Sequence, residues 1–150
     1  MYAALQEAQH AFNEGEVPVG AVIVVDNHVI ASNHNRTEQR HDPLAHAEIL
    51  VIRDACRRLH YERLAEASLY VTVEPCVMCA GAMVLARIRQ LVYGTENPKA
   101  GAVHSLYTVV RDTRLNHQLD VIAGVLQQEC RELMTTFFRQ LRAGGVPKWS

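Results

Sequence analysis

Apolar residues recur near helical spacing at Ala4, Leu5, Ala8, Ala11 and Phe12, predicting a helix that stops at Gly15. VPVGAVIVVDNHVIASNHN (17–35) holds two β-rich runs around Asp26-Asn27-His28, the pattern of a strand hairpin. TEQRHDP (37–43) is polar and predicts a loop. Asp42 is a candidate cap and Pro43 a candidate first residue for a helix over LAHAEILVIRDACRRL (44–59). SLYVTV (68–73) is apolar enough for a central strand. CVMCAGAMVLARI (76–88) predicts a further helix, and QLVYGT (90–95) a strand. Residues 96–118 have no clear period and form a long loop, and loops of that length are often functional. LDVIAG (119–124) is a last strand. The final helix, 125–144, carries Leu126, Cys130, Leu133, Met134, Phe137 and Leu141 on one stripe, ahead of a GVPKWS tail.

This order is α-β-β-α-β-α-β-α, with a fifth strand before the last helix. Strand–helix–strand units imply parallel pairs joined by right-handed crossovers. The expected product is an α/β fold: a three-layer α/β/α sandwich around one five-stranded mixed sheet. Residues 1–150 show no internal repeat or linker and suit one domain.

Charge adds little to this picture. With 15 Lys plus Arg against 16 Asp plus Glu, no global basic field points to nucleic acid, although a local patch is compatible with that balance. The N-terminus lacks a signal-peptide pattern, and the longest apolar run is too short to cross a bilayer. A reducing, cytoplasmic setting without membrane association is therefore expected. In that setting the pair Cys76 and Cys79 reads as metal-binding or redox before disulfide.

The chemistry concentrates in two short stretches, HAEI (46–49) and PCVMC (75–79), each where a strand or loop gives way to a helix. Cys76 and Cys79 are three apart in a first helical turn, so their sulfurs share one face. The exposed N–H groups of a helix start favour thiolates. His46 adds a nitrogen donor. Three protein ligands leave a tetrahedral zinc with a position for water, the mark of a catalytic site. Zinc lowers the pKa of water from about 15.7 to roughly 7, on the order of 12 kcal/mol toward hydroxide. Glu48 is the candidate to move that water's proton. Residues two apart inside a helix diverge, so His46 and Glu48 converge only if the metal lies beyond the helix end. A lone C-x-x-C also suits a redox pair. His-x-Glu followed by Pro-Cys-x-x-Cys matches the zinc-deaminase pattern.

The likeness extends beyond these residues. EVPVGAVIV, Asn35-Arg36, RHDPLAHAEI, LYVTVEPCVMCAGAM, Arg87-Ile88, LNH (115–117) and FFR (137–139) occur in an order that resembles the bacterial tRNA-specific adenosine deaminases. The metal motifs are shared with guanine and cytosine deaminases; LNH and FFR point more narrowly to the tRNA enzymes. The resemblance implies a cytidine deaminase-like fold and a homodimer with one Zn2+ per subunit. It also implies conversion of adenosine to inosine at the wobble position of a tRNA anticodon loop. It casts His46, Cys76 and Cys79 as zinc ligands and Glu48 as the proton shuttle. Asn35 would read the purine, Pro18 and Val19 would wall the pocket, and Asn116 would contact the anticodon loop. In the implied reaction, metal-activated water adds to C6 while Glu48 protonates N1, and ammonia leaves. A deaminase of free guanine, cytosine or a nucleoside is the alternative, because it needs the same metal site. A non-catalytic RNA-binding subunit is a weaker rival, since such partners commonly lack the glutamate present here at Glu48.

The chain departs from the family at Asn97, where many relatives carry an acidic residue; an amide there loses a charge near the target nucleotide. Arg36, Arg40, Arg139, Arg142 and Lys148 are candidate phosphate contacts. Cys56 and Cys130 fall on apolar stripes and read as core. His10, His28, His34 and His60 read as surface or loop residues, and His41 and His104 as possible pocket neighbours. Met78 and Met83 read as packing or dimer-interface residues.

Overall fold

The computed structural model describes residues 1–145. A five-stranded sheet in the order β2-β1-β3-β4-β5 forms its middle layer. The strands are β1 (Gly20–Val25), β2 (His28–His34), β3 (Ser68–Val73), β4 (Gln90–Thr95) and β5 (Asp120–Ala123). β1 runs antiparallel to both β2 and β3, while β3–β4 and β4–β5 are parallel. Asp26 and Asn27 both take positive φ (49° and 61°), which is what a two-residue hairpin turn with the twist of its strands requires.

The helices are α1 (Tyr2–Asn13), α2 (Thr37–Arg40), α3 (Ala47–Leu59), α4 (Val77–Leu85) and α5 (Gln127–Arg142). α1 and α5 touch each other and one sheet face; α3 and α4 touch each other on the opposite side. Alternation along the strands divides the side chains between these layers. Ile23, Leu69, Val71, Leu91 and Tyr93 share a core with Val51 of α3 and Met83 of α4. Gly20 lets α1 lie directly on β1: a Cβ there would sit 2.1 Å from the Ala4 carbonyl oxygen.

On the α1–α5 side, Phe137 is fully buried and meets Phe12 and Phe138 edge-on, at ring separations of 5.7 and 5.4 Å. Phe137→Ala is expected to cost about 3–5 kcal/mol in equilibrium denaturation, because a cavity replaces a large, fully buried side chain packed between two other rings. A cost under about 1 kcal/mol would mean that this layer is not packed as described.

Four local readings of the sequence are corrected. Thr37–Arg40 is a short helix, not a loop. Its first N–H groups are met from far away, by the buried Glu16 carboxylate, which accepts from Gln39 N (2.7 Å) and Glu38 N (3.2 Å). α3 begins at Ala47, not at residue 44. Asp42 caps a turn instead: its Oδ1 accepts from Leu44 N at 2.9 Å and its carbonyl from Ala45 N at 3.1 Å. His34 is buried, not on the surface. Its Nδ1 lies 2.7 Å from Glu7 Oε2 and its Nε2 2.8 Å from Glu14 Oε2, which ties β2 to α1. Those are hydrogen-bond lengths, shorter than the spacing of two ligands around one ion. Within the long connection, Val109–Arg111 forms a 3-10 turn.

Candidate active site

The carboxyl ends of the parallel strands β3 and β4 meet the starts of α3 and α4, the place where open α/β sheets bind ligands. Beyond β3 the chain passes through Glu74 and Pro75 to Cys76, the N-cap of α4 in extended conformation (φ −73°, ψ 176°). Cys79 lies one turn on and is fully buried. His46 is likewise the extended N-cap of α3 (φ −73°, ψ 149°). Because His46 stands outside the helix and Glu48 inside its first turn, two side chains that would diverge in a helix can serve one point.

His46 Nδ1 is 3.6 Å from Cys76 Sγ and 3.5 Å from Cys79 Sγ. Bonds of about 2.3 Å to sulfur and about 2.1 Å to nitrogen at a tetrahedral angle would place such donors about 3.6 Å apart. One imidazole and two thiols at this spacing therefore fit a zinc ion. Hydrogen bonding from Cys79, then from His46, holds the Cys76 thiol down at about 4 against the opposing effect of burial. The Cys79 thiol is pushed up, first by its hydrogen bond to the Cys76 sulfur, which favours the protonated form, and then by burial. His46 is raised, chiefly by its bond to Cys76.

Glu48 is 4% exposed, and its Oε2 has no hydrogen-bond partner among the described residues. A buried, unpaired carboxylate oxygen is costly, so its place beside the donor cluster calls for a ligand atom to meet it. Burial raises its carboxyl above the ordinary range, against bonding to its own backbone N–H and the nearby His46. A carboxyl so placed can take a proton and pass it on.

His46, Cys76 and Glu48 line a cavity of about 780 Å3. Asn35 lines it too, 7% exposed, with Oδ1 accepting from Ala47 N at 3.2 Å. That bond leaves the side-chain NH2 of Asn35 as the donor available to a ligand. Val19 lines the cavity but Pro18 does not; Val17 does, on the other side of a tight turn in which Val19 N donates to the Val17 carbonyl at 2.8 Å. Asn97 stands on the cavity wall. Asn116 does not: it is exposed, on a segment tied down by His117 Nε2, which lies 2.7 Å from the Ile88 carbonyl oxygen. Neither His41 nor His104 lines the cavity; both are exposed. Arg142 lines it, Arg139 is exposed on the same helix, and Lys148 lies outside the described residues. Arg36 is engaged locally, donating to Asn33 Oδ1 (2.8 Å) and Gln39 Oε1 (2.9 Å).

Sequence reasoning passed over several wall residues. Arg131, Thr135 and Phe138 lie on α5 with Arg142, which was already a candidate phosphate contact, at spacings of four, three and four, a second helical stripe beside the apolar one. Lys99 joins them from the loop. Glu74 was overlooked although its signal was legible: an acidic residue closing a buried strand, immediately before a proline.

A family model for MafB19-like deaminases matches residues 1–142. The chain is 47% identical to a tRNA-specific adenosine deaminase of Bacillus subtilis over 95% of its own length and 88% of that protein's. It is 49% identical to one of Agrobacterium fabrum, covering 95% of this chain and 93% of that one. A solved structure from a study of A-to-I editing by tRNA:A34 deaminases superposes with a TM-score of 0.86 at 50% identity, covering 89% of this chain and 96% of the other. A guanine deaminase from Nitrosomonas europaea shares the fold (TM-score 0.77) at 21% identity, over 89% of this chain and 80% of that one. The chain belongs to the MafB19-like deaminases and, among them, to the family of tRNA-specific adenosine deaminases.

Proposed function

We propose that this deaminase hydrolyses adenosine to inosine at the wobble position of a tRNA anticodon loop, with one zinc per subunit. The observation that carries the chemistry is the buried, unpartnered Glu48 oxygen beside a His-Cys-Cys donor set. His46, Cys76 and Cys79 would hold the zinc, which when bound acidifies water. The remaining work falls to the chain. Glu48 accepts a proton from the attacking water and delivers it to N1 of adenine as oxygen adds at C6. It then takes the remaining proton from the C6 hydroxyl and passes it to the amino group, the C6–N6 bond breaks as the C6 carbonyl forms, and ammonia leaves inosine behind.

Asn35 offers its NH2 to the purine, and Val17 and Val19 supply an apolar wall that excludes bulk water. The base must leave its stack to enter, and a single-stranded loop yields it more cheaply than a duplex. Lys99, Arg131 and Arg142 around the cavity suit the phosphates flanking that base, with Asn97 beside them. Asn116, outside the cavity, is assigned to the anticodon loop rather than to the extruded base. Replacing Lys99, Arg131 and Arg142 together by Ala is expected to reduce the salt dependence of RNA binding by about 2 in log–log slope. An unchanged slope would remove these three from the contact surface.

A homodimer in the cytoplasm completes the reading. Val77 (57% exposed) and Leu85 (81%) stand with Gly81 on one outward face of α4, an apolar surface that a second copy would cover. Leu85→Arg is expected to yield monomers in sedimentation equilibrium, whereas a variant that still sediments as a dimer places the interface elsewhere. The functional reading itself is tested by mapping inosine in total tRNA incubated with the purified protein. Ammonia release from free guanine, cytosine or adenosine, with no inosine in RNA, would overturn it.

A further inference from the structure

We infer that Glu74 is a positioning residue for the substrate: its carboxylate pins the 97–105 loop to the metal-ligand segment and so sets where Asn97 and Lys99 stand on the cavity wall. This rests on reading the cavity as an RNA adenosine site.

Glu74 is 1% exposed and sits two residues before Cys76. Both of its oxygens are fully engaged by one loop. Oε1 accepts from Asn97 N (3.2 Å) and from the Ser105 hydroxyl. Oε2 accepts from Val103 N (3.1 Å), His104 N (2.9 Å) and Ser105 N (2.9 Å). Converging backbone N–H groups of this kind ordinarily cradle an anion; here the anion is the chain's own side chain. Among the described residues no Lys, Arg or His forms an ion pair with Glu74. The loop's N–H groups are therefore what compensates a buried charge, and a loop that drifts away leaves that charge unpaired.

The fit is close on the other side as well. A Cβ on Gly101 would lie 2.4 Å from the Glu74 carboxyl carbon and 2.6 Å from the Asn97 carbonyl oxygen, so only glycine passes there. Ala102 N donates to the Pro75 carbonyl at 2.8 Å, and Gly101 bridges to Cys76. The loop is thus tied to the same three residues, Glu74 to Cys76, that deliver a donor to the metal cluster. The segment between β4 and β5 has only the 3-10 turn as regular structure, so this anchor substitutes for the ladder or helix it lacks. Asn97, Pro98 and Lys99 all line the cavity.

The test uses the zinc-loaded protein and an anticodon stem-loop RNA. In Glu74→Gln an amide NH2 must face N–H donors. In Gly101→Ala the charge stays but the contact is forced apart. Both are expected to keep one zinc per chain, to raise KM for the RNA by roughly tenfold or more, and to change kcat much less. Amide exchange at residues 103–105 should accelerate in both. Combined with Asn97→Ala, the Glu74→Gln effect on KM should be smaller than in the parent, because the two act through one contact. An unchanged KM in both variants, a fully multiplicative double mutant, or a fall in kcat that tracks lost zinc would each overturn the inference. Wild-type protein inert on RNA would instead sink the reading of the site, and the exchange data would still decide whether Glu74 holds the loop.

Discussion

Glu48→Gln is expected to lower kcat on an anticodon stem-loop by about 10²–10⁴-fold, with zinc content unchanged and the melting temperature of the metal-free protein no lower than that of the parent. The rate loss follows from removing the buried carboxyl that lines the cavity with His46 and Cys76 and has an oxygen without a partner among the described residues. General acid–base catalysis by a positioned group contributes about that much, and adenine deamination needs two proton deliveries, to N1 and to the departing amine. The stability outcome follows from burial. Glu48 is 4% exposed with an unpartnered Oε2, so as an ion it costs folding energy, and burial raises its carboxyl accordingly. A neutral amide of the same shape relieves that cost. Activity and stability should therefore separate, as they do where a functional group is held at the expense of the fold. A variant that loses stability and turnover in parallel would show that Glu48 supports the structure and not the proton transfers.

How far the sequence revealed this arrangement depends on the range over which each feature is determined. β3 and α4 were legible because their signals are local: an unbroken apolar run, and an apolar stripe after Pro-Cys. His46, Cys76 and Cys79 converge as their spacing suggested, since residues at helix starts beside one sheet end are brought together by the topology itself. α2 was not legible because its first turn is satisfied by Glu16, more than twenty residues upstream. The start of α3 was misplaced because Asp-Pro signals a cap and a turn equally well; only the structure shows that Asp42 accepts from Leu44 N. His34 was misread because its partners, Glu7 and Glu14, belong to the chain around α1 and not to its own strand. The pocket wall shifted by one residue, from Pro18 to Val17, since the facing of these side chains is set by a tight turn centred on Pro18 and not by residue type. Arg131 and Lys99 went unnoticed because a charged stripe on a terminal helix looks the same whether it faces solvent or a cavity.

Cys79→Ala should abolish turnover together with metal. Zinc in the purified variant should fall from one per chain to near zero, and added zinc should not restore activity. Cys79 is the donor whose loss is hardest to repair. It is fully buried in the first turn of α4, so no water-exposed side chain can swing in to replace its sulfur. The two remaining donors, His46 and Cys76, are only partly buried and make an incomplete set. The same loss should appear as a loss of linkage. Zinc at 1,000 times its dissociation constant stabilises a folded chain by about 4 kcal/mol, so chelation should lower the melting temperature of the parent and leave that of Cys79→Ala unmoved. Acid should act like the chelator, because the thiols must be deprotonated to bind and affinity therefore falls with pH. The alanine also leaves a small void in the core beside Ala80 and Met83, and that cost is present with or without chelator. The difference between chelated and untreated samples isolates the metal's share. An equal chelator response in parent and variant would show that Cys79 is not a ligand, however close its sulfur lies to His46.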